Sequence, residues 1–238
     1  MSFRSAKLRL RSLGEILVTL GFLTDAASAA LLSPFAALSN PLGSVRALTA
    51  QTLLASFLMV LLIAGLLRLR GESVRNFCLG QGASLRRGVK LGLLLVPGIF
   101  VSSFLLKSLI RHLFPTLYSG ERNVLEELMR SPADLGLFLL VAIVAGGFRE
   151  ELQRAFIISR FEAGWGPAWV GAILFAILFG YGHLIQGKDE AIIAGVFGLL
   201  WGGIYVARRN IVATSLSHGL YDALELIRYY FWGPMRFL

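Results

Sequence analysis

Residues 135–158 read LGLFLLVAIVAGGFREELQRAFII, an apolar run interrupted by Arg149, Glu150, Glu151 and Arg154. A helix needs about 20 mostly apolar residues to cross about 30 Å of hydrocarbon, and this stretch is long enough. An unpaired charge placed there is expensive, so ionisable residues inside such a run are either mutual partners or a functional site. The four charges sum to zero, which keeps the structural reading open beside the functional one.

The rest of the chain repeats the apolar pattern. Further runs lie at about Ile16–Leu38, Ala47–Leu67, Val89–Ile110, Trp165–Ile185, Ala191–Ala207 and Ile211–Trp232, making about seven spans, with a range of six to eight. The 238 residues are 56% hydrophobic and 16% charged, with a mean hydropathy of +0.71. Soluble domains are about 45–50% apolar and about 25% charged. No long alternating pattern suggests a membrane barrel. The expectation is an all-α, polytopic transmembrane helix bundle, one integral membrane domain over residues 1–238.

Asp25 interrupts the first run. Arg4, Lys7, Arg9 and Arg11 before it, and Ala27-Ser28-Ala29 within it, resemble a signal peptide, but Glu15 and Asp25 bracket too short an apolar core. An uncleaved first helix is expected. The net charge of +9 and pI of about 10.3 come from Lys and Arg lying mainly between apolar runs. This favours topology and lipid headgroups as the explanation, and membrane lipids rather than nucleic acid as partners.

With a cytoplasmic N-terminus, one side collects Arg4, Lys7, Arg9, Arg11, Arg68, Arg70, Arg75, Arg86, Arg87, Lys90, Arg160, Arg208 and Arg209. The other collects fewer: Arg46, Lys107, Arg111, Arg122, Arg130, Lys188, Arg228 and Arg236. The imbalance fits a cytoplasmic N-terminus in a plasma membrane, read as a prokaryotic inner membrane. The single cysteine, Cys78, excludes an internal disulfide and a multi-cysteine metal site.

Two further spans carry ionisable groups: the fifth has His183, and the seventh has His218 and Asp222. Glu150 and Arg154, Phe179 and His183, and His218 and Asp222 are each four apart, hence on one helix face. If the fourth and fifth spans form an antiparallel hairpin, the midpoint of 150 and 183 falls between Gly166 and Pro167, where the sequence places its turn. Glu150 and His183 then lie level, roughly 25 Å from that turn at 1.5 Å per residue. Either the hairpin protrudes into water or the site sits toward the far side. Phe179 reads as packing, and Gly180 and Gly182 as close-approach positions beside His183.

Glu150-Glu151 with Arg154, Phe179-x-x-x-His183 and His218-x-x-x-Asp222, in that order on three helices, resemble the CPBP family. These are the CAAX prenyl proteases and bacteriocin-processing or immunity proteins, also called the Abi family. The resemblance covers about residues 135–225, the expected catalytic core. It departs in two places. The family usually reads Glu-Glu-x-x-x-Arg, whereas Arg154 follows Glu151 after two residues; if Arg154 holds the family position, Arg149 fills the first glutamate slot. The level placement of Glu150 and His183 favours Glu150 and Glu151 as the pair. The third motif often ends in Asn, and an ionised Asp222 accepts hydrogen bonds but does not donate them.

The resemblance implies an intramembrane endopeptidase acting on a membrane-associated or lipid-modified peptide or protein. Glu150 and His183 would activate water, His218 and Asp222 would bind the carbonyl oxygen or orient the water, and Glu151 would brace the site through an arginine. The family is known both as metalloproteases and as glutamate-dependent enzymes. His183, His218 and Glu150 form a drawable zinc set with a position open for water, so the metal is left open. A proton-coupled transporter, and a non-catalytic immunity or scaffold protein of the same fold, are the alternatives.

Overall fold

The computed structural model describes residues 3–82, 84–119 and 125–234; Arg122 and Arg236, and the side chain of Arg4, fall outside this description. The described chain is helical: α1 Phe3–Val18, α2 Phe22–Leu32, α3 Val45–Leu69, α4 Val74–Leu79, α5 Leu85–Leu113, α6 Pro132–Val141, a π-helical segment Ala142–Glu150, α7 Glu151–Gly164, α8 Ala168–Gly182, α9 Lys188–Arg208 and α10 Val212–Trp232. Several starts are written locally. Ser44, Ser84 and Ser131 are extended, and each side chain accepts from the backbone N–H three residues on, satisfying an otherwise orphan donor.

Among the described residues, five stretches are long and apolar enough to cross a membrane: Ala6–Leu32, Val45–Leu69, Leu85–Leu113, Ala168–Gln186 and Lys188–Arg208. The runs at 135–158 and 211–232 are helical as well, but they carry the ionisable residues that dilute their hydropathy. Outward-facing side chains such as Phe57, Leu94, Leu105 and Ile177 are exposed along these helices, as a lipid-facing belt requires. The protein is an integral membrane helical bundle.

The first run differs from its reading as one helix from Ile16. Helix α1 starts far earlier and stops at Val18, and α2 begins after Gly21, whose φ of 110° favours glycine. The break exposes the carbonyl of Thr19 inside the bundle, and Gln153 Nε2 donates to it at 2.6 Å. The hairpin turn falls where expected, between α7 ending at Gly164 and α8 starting at Ala168.

The bundle has two distinct ends. At the base lie the start of α1, the α3–α4 connection, the α7–α8 turn and the α9–α10 turn. There Ser12 packs on Gly164, Arg70 Nη2 donates to Ser12 at 3.2 Å, and Ile211 N donates to the carbonyl of Cys78 at 3.0 Å. Buried Glu15 ties this end together by accepting from Arg11 and Arg70 at 3.0 and 2.9 Å and by ion-pairing with Arg160 at 2.8 Å. At the head lie the starts of α3, α6 and α9 and the ends of α5, α8 and α10. Lys188 N donates to Ser119 Oγ there at 2.6 Å.

Between helices the approach is set by small residues, since lipid supplies no hydrophobic drive for helix association. A Cβ on Gly147 would lie 3.0 Å from the Gly219 backbone, and one on Gly180 would lie 2.6 Å from the Ala191 carbonyl oxygen. Gly180 is thus a close-approach position. Gly182 is not, because it has open space beside it at the end of α8. Apolar clusters fill the interior, among them Met59, Ile63, Leu152 and Phe156 toward the base, and Ile99, Phe197, Trp201 and Tyr221 between α5, α9 and α10.

Candidate functional site

The fourth run does not continue as one α-helix. Its backbone widens into a π-helix over Ala142–Glu150 and returns to α at Glu151. Such widened turns recur at functional sites because they re-aim the side chains that follow. The junction separates the two glutamates. Glu150 is half-buried and faces a cavity, whereas Glu151 is buried behind it.

The cavity measures about 290 Å³, and Glu150, His183, His218 and Asp222 all line it. Three elements deliver these groups: the π-helix, the end of α8, and α10 through two successive turns. The sequence-derived set therefore gathers in one place, except for Glu151 and Arg154, which stand behind the lining. His218 Nδ1 bonds Glu151 Oε1 at 2.8 Å, and Glu151 also pairs with Arg154. The shortened motif still works sterically, because residues three apart meet on a helix face as residues four apart do. Arg154 is fully buried, its guanidinium 4.6 Å from the Phe179 ring centre and 5.4 Å from that of Trp201.

The hydrogen bonds fix the imidazole tautomers. A carbonyl oxygen only accepts, so His183 Nδ1, 2.8 Å from the Phe179 carbonyl, carries its proton and donates it. A neutral His183 then has its lone pair on Nε2. An ionised Glu151 likewise takes the Nδ1–H of His218, leaving Nε2 at 3.5 Å from Asp222 Oδ2 and 3.9 Å from Glu150 Oε2. The His218 ring is stacked on Trp201, with centroids 3.8 Å apart and planes 19° apart, and Trp201 is itself oriented by donating to Ser217 Oγ at 3.1 Å.

Sequence reasoning missed Trp201 and Gly146. Trp201 sits mid-helix in an apolar run with no motif around it. Gly146 lies under Asp222: a Cβ there would be 2.3 Å from Asp222 Oδ2, so only glycine lets the carboxylate lie against the π-helix. Phe179 does pack, as read, but it also touches the site: its ring centre is 4.5 Å from His183 and 6.0 Å from His218. Farther along the cavity lie Lys107 and Glu190, paired at 2.5 Å, and Glu225, paired with Arg228 at 2.8 Å.

A zinc version would need His183, His218 and Glu150 to converge on one ion. They share the cavity, but no three His, Cys, Asp or Glu side chains among the described residues are grouped to hold a metal ion.

Residues 132–224 match the family model described as type II CAAX prenyl endopeptidase Rce1-like. No curated protein and no solved structure matches the chain. The match runs from the start of α6 through α10 past Asp222 and so contains every residue of the cavity's polar set named in the three motifs. This segment is similar to the Rce1-like CAAX endopeptidases, in keeping with the family its motif order resembles.

Proposed function

We propose that the protein is an intramembrane endopeptidase that cleaves a membrane-associated or lipid-modified peptide, with Glu150 as the general base. The observation that carries this reading is the sharing of one cavity inside the helical bundle by Glu150, His183, His218 and Asp222. Amide hydrolysis needs a base for water, a donor for the oxyanion and an acid for the leaving amine. Glu150 takes one proton from water while an imidazole Nε2 lone pair, that of His183 or His218, accepts a hydrogen bond from the other O–H and orients it. The hydroxide oxygen bonds to the carbonyl carbon, the C–N bond breaks, and Glu150 returns the proton to the amine nitrogen. Glu151 and Trp201 hold the His218 ring in the required orientation. Asp222 in its protonated form donates to the oxyanion.

Two variants test the assignment. Glu150→Gln keeps the shape but removes the base, and cleavage of a membrane-inserted reporter peptide in detergent is expected to fall to background. Full activity in Glu150→Gln would falsify the base assignment. Asn donates at any pH, so Asp222→Asn should retain cleavage while Asp222→Ala loses about 10²–10³-fold. An inactive Asp222→Asn beside a folded protein would remove the donor role. Prolonged chelation is expected to leave activity unchanged, and loss restored by added zinc would overturn the metal-free scheme.

A further inference from the structure

The cavity is asymmetric along the bundle. Its depth is marked by Glu150, Trp201 and His218, and from there it follows α9 up to Glu190 and α10 up to Leu226. At 1.5 Å per residue these are climbs of roughly 16 Å and 12 Å. All the remaining lining points the same way. Leu48 is in the first turn of α3, Lys107 is near the end of α5, and Gln186 and Leu125 lie in head loops. Among the described residues, no lining residue comes from the turns at 70–84, 165–167 or 209–211, so the cavity runs to the head and away from the base.

The base is also the end that carries the basic connections. The α3–α4–α5 stretch alone holds Arg68, Arg70, Arg75, Arg86, Arg87 and Lys90. The base adds Arg160, Arg208 and Arg209, whereas the described part of the head holds Arg46, Lys107, Arg111, Arg130, Lys188 and Arg228. Short connections rich in Lys and Arg stay on the cytoplasmic side. The start of α1 packs at the base, Ser12 against Gly164, which puts the N-terminal helix's first turns on that same side.

From these two asymmetries we infer that the site is reached from the extracytoplasmic side, so that its substrate is a peptide segment already delivered across the membrane. This rests on the endopeptidase reading for the word substrate, but the direction of the cavity and the charge asymmetry do not.

Impermeant maleimide labelling of intact cells tests the direction. In a Cys78→Ser background, Ile185→Cys reports the head and Trp165→Cys the base; both native side chains are exposed. Ile185→Cys should label in intact cells, and Trp165→Cys only after permeabilisation. The same pattern is expected in an added Glu150→Gln variant, since topology does not depend on catalysis. A membrane-tethered reporter peptide displayed outside should be cleaved, and the same peptide displayed in the cytoplasm should not. Reversed labelling, labelling of both positions in intact cells, or cleavage confined to the cytoplasmic reporter overturns the inference. Labelling as expected with neither reporter cleaved sinks the endopeptidase reading and leaves the direction standing.

Discussion

His218 shows how much of the site depends on side chains that never reach the cavity. Its orientation comes from Glu151 below and Trp201 alongside, and Glu151 in turn balances the buried Arg154. Removing one partner of a buried pair leaves an uncompensated charge, at a cost of about 3–5 kcal/mol. Glu151→Gln is therefore expected to lower the thermal unfolding midpoint in detergent sharply as well as to slow cleavage. An unchanged midpoint would show that Arg154 has another counter-charge. Gly146 gives a cleaner separation of function from stability. Gly146→Ala pushes against the tip of the Asp222 side chain, which can swing away, so the fold should survive while cleavage drops by about 10²-fold, the scale of an ångström-level misplacement.

At the scale of elements, the break between α1 and α2 is bound to the helix that follows the glutamates. Gln153 donates to the Thr19 carbonyl at 2.6 Å and accepts from Arg149 Nη1 at 3.1 Å, while Asp25 lies over Gly21 close to the same amide. Asp25 and Arg149, two charges outside the motifs, thus both lie beside Gln153 on the back of the Glu150 helix. Gln153→Ala leaves a buried carbonyl unsatisfied, at about 1–3 kcal/mol. Hydrogen exchange should then accelerate at residues 19–25 ahead of the rest of the bundle. Uniform acceleration, or none, would mean the break is held by something other than Gln153. Gly147 and Gly219 behave differently, because each would meet backbone. Gly147→Ala must separate the π-helix from α10 and is expected to reduce both stability and activity.

Across the whole molecule, the base is stapled by ion pairs and the head holds the cavity. One base pair is titratable in water: Glu162 accepts from Arg209 at 2.8 Å, and that guanidinium holds the Glu162 carboxyl below the usual carboxylate range. A depressed folded-state pKa contributes stability above the unfolded value, and the contribution disappears as pH falls through the folded value. Both side chains are largely exposed, so solvent screening limits the pair to under about 1 kcal/mol. Glu162→Gln should lower the unfolding midpoint slightly at pH 7 and match the parent protein once acid has neutralised Glu162. A difference that grows with acidification would contradict this linkage.

Much of this protein was legible in residue order alone. Apolar runs of membrane length determined the helical bundle, because lipid leaves the backbone no other way to satisfy its polar groups. The level placement of residues 150 and 183 followed from the Gly166-Pro167 turn and the fixed helical rise. What the three-dimensional packing decided was of another kind. Glu150 and Glu151 are chemically identical neighbours, and only the π-to-α junction sends one into the cavity and the other behind His218. Trp201, Gly146 and the Gln153–Thr19 bond join positions far apart in the chain, and no local spacing encodes such a contact. Periodicity and hydropathy are properties of short stretches, whereas a cavity and its open end exist only once separate helices have been set side by side.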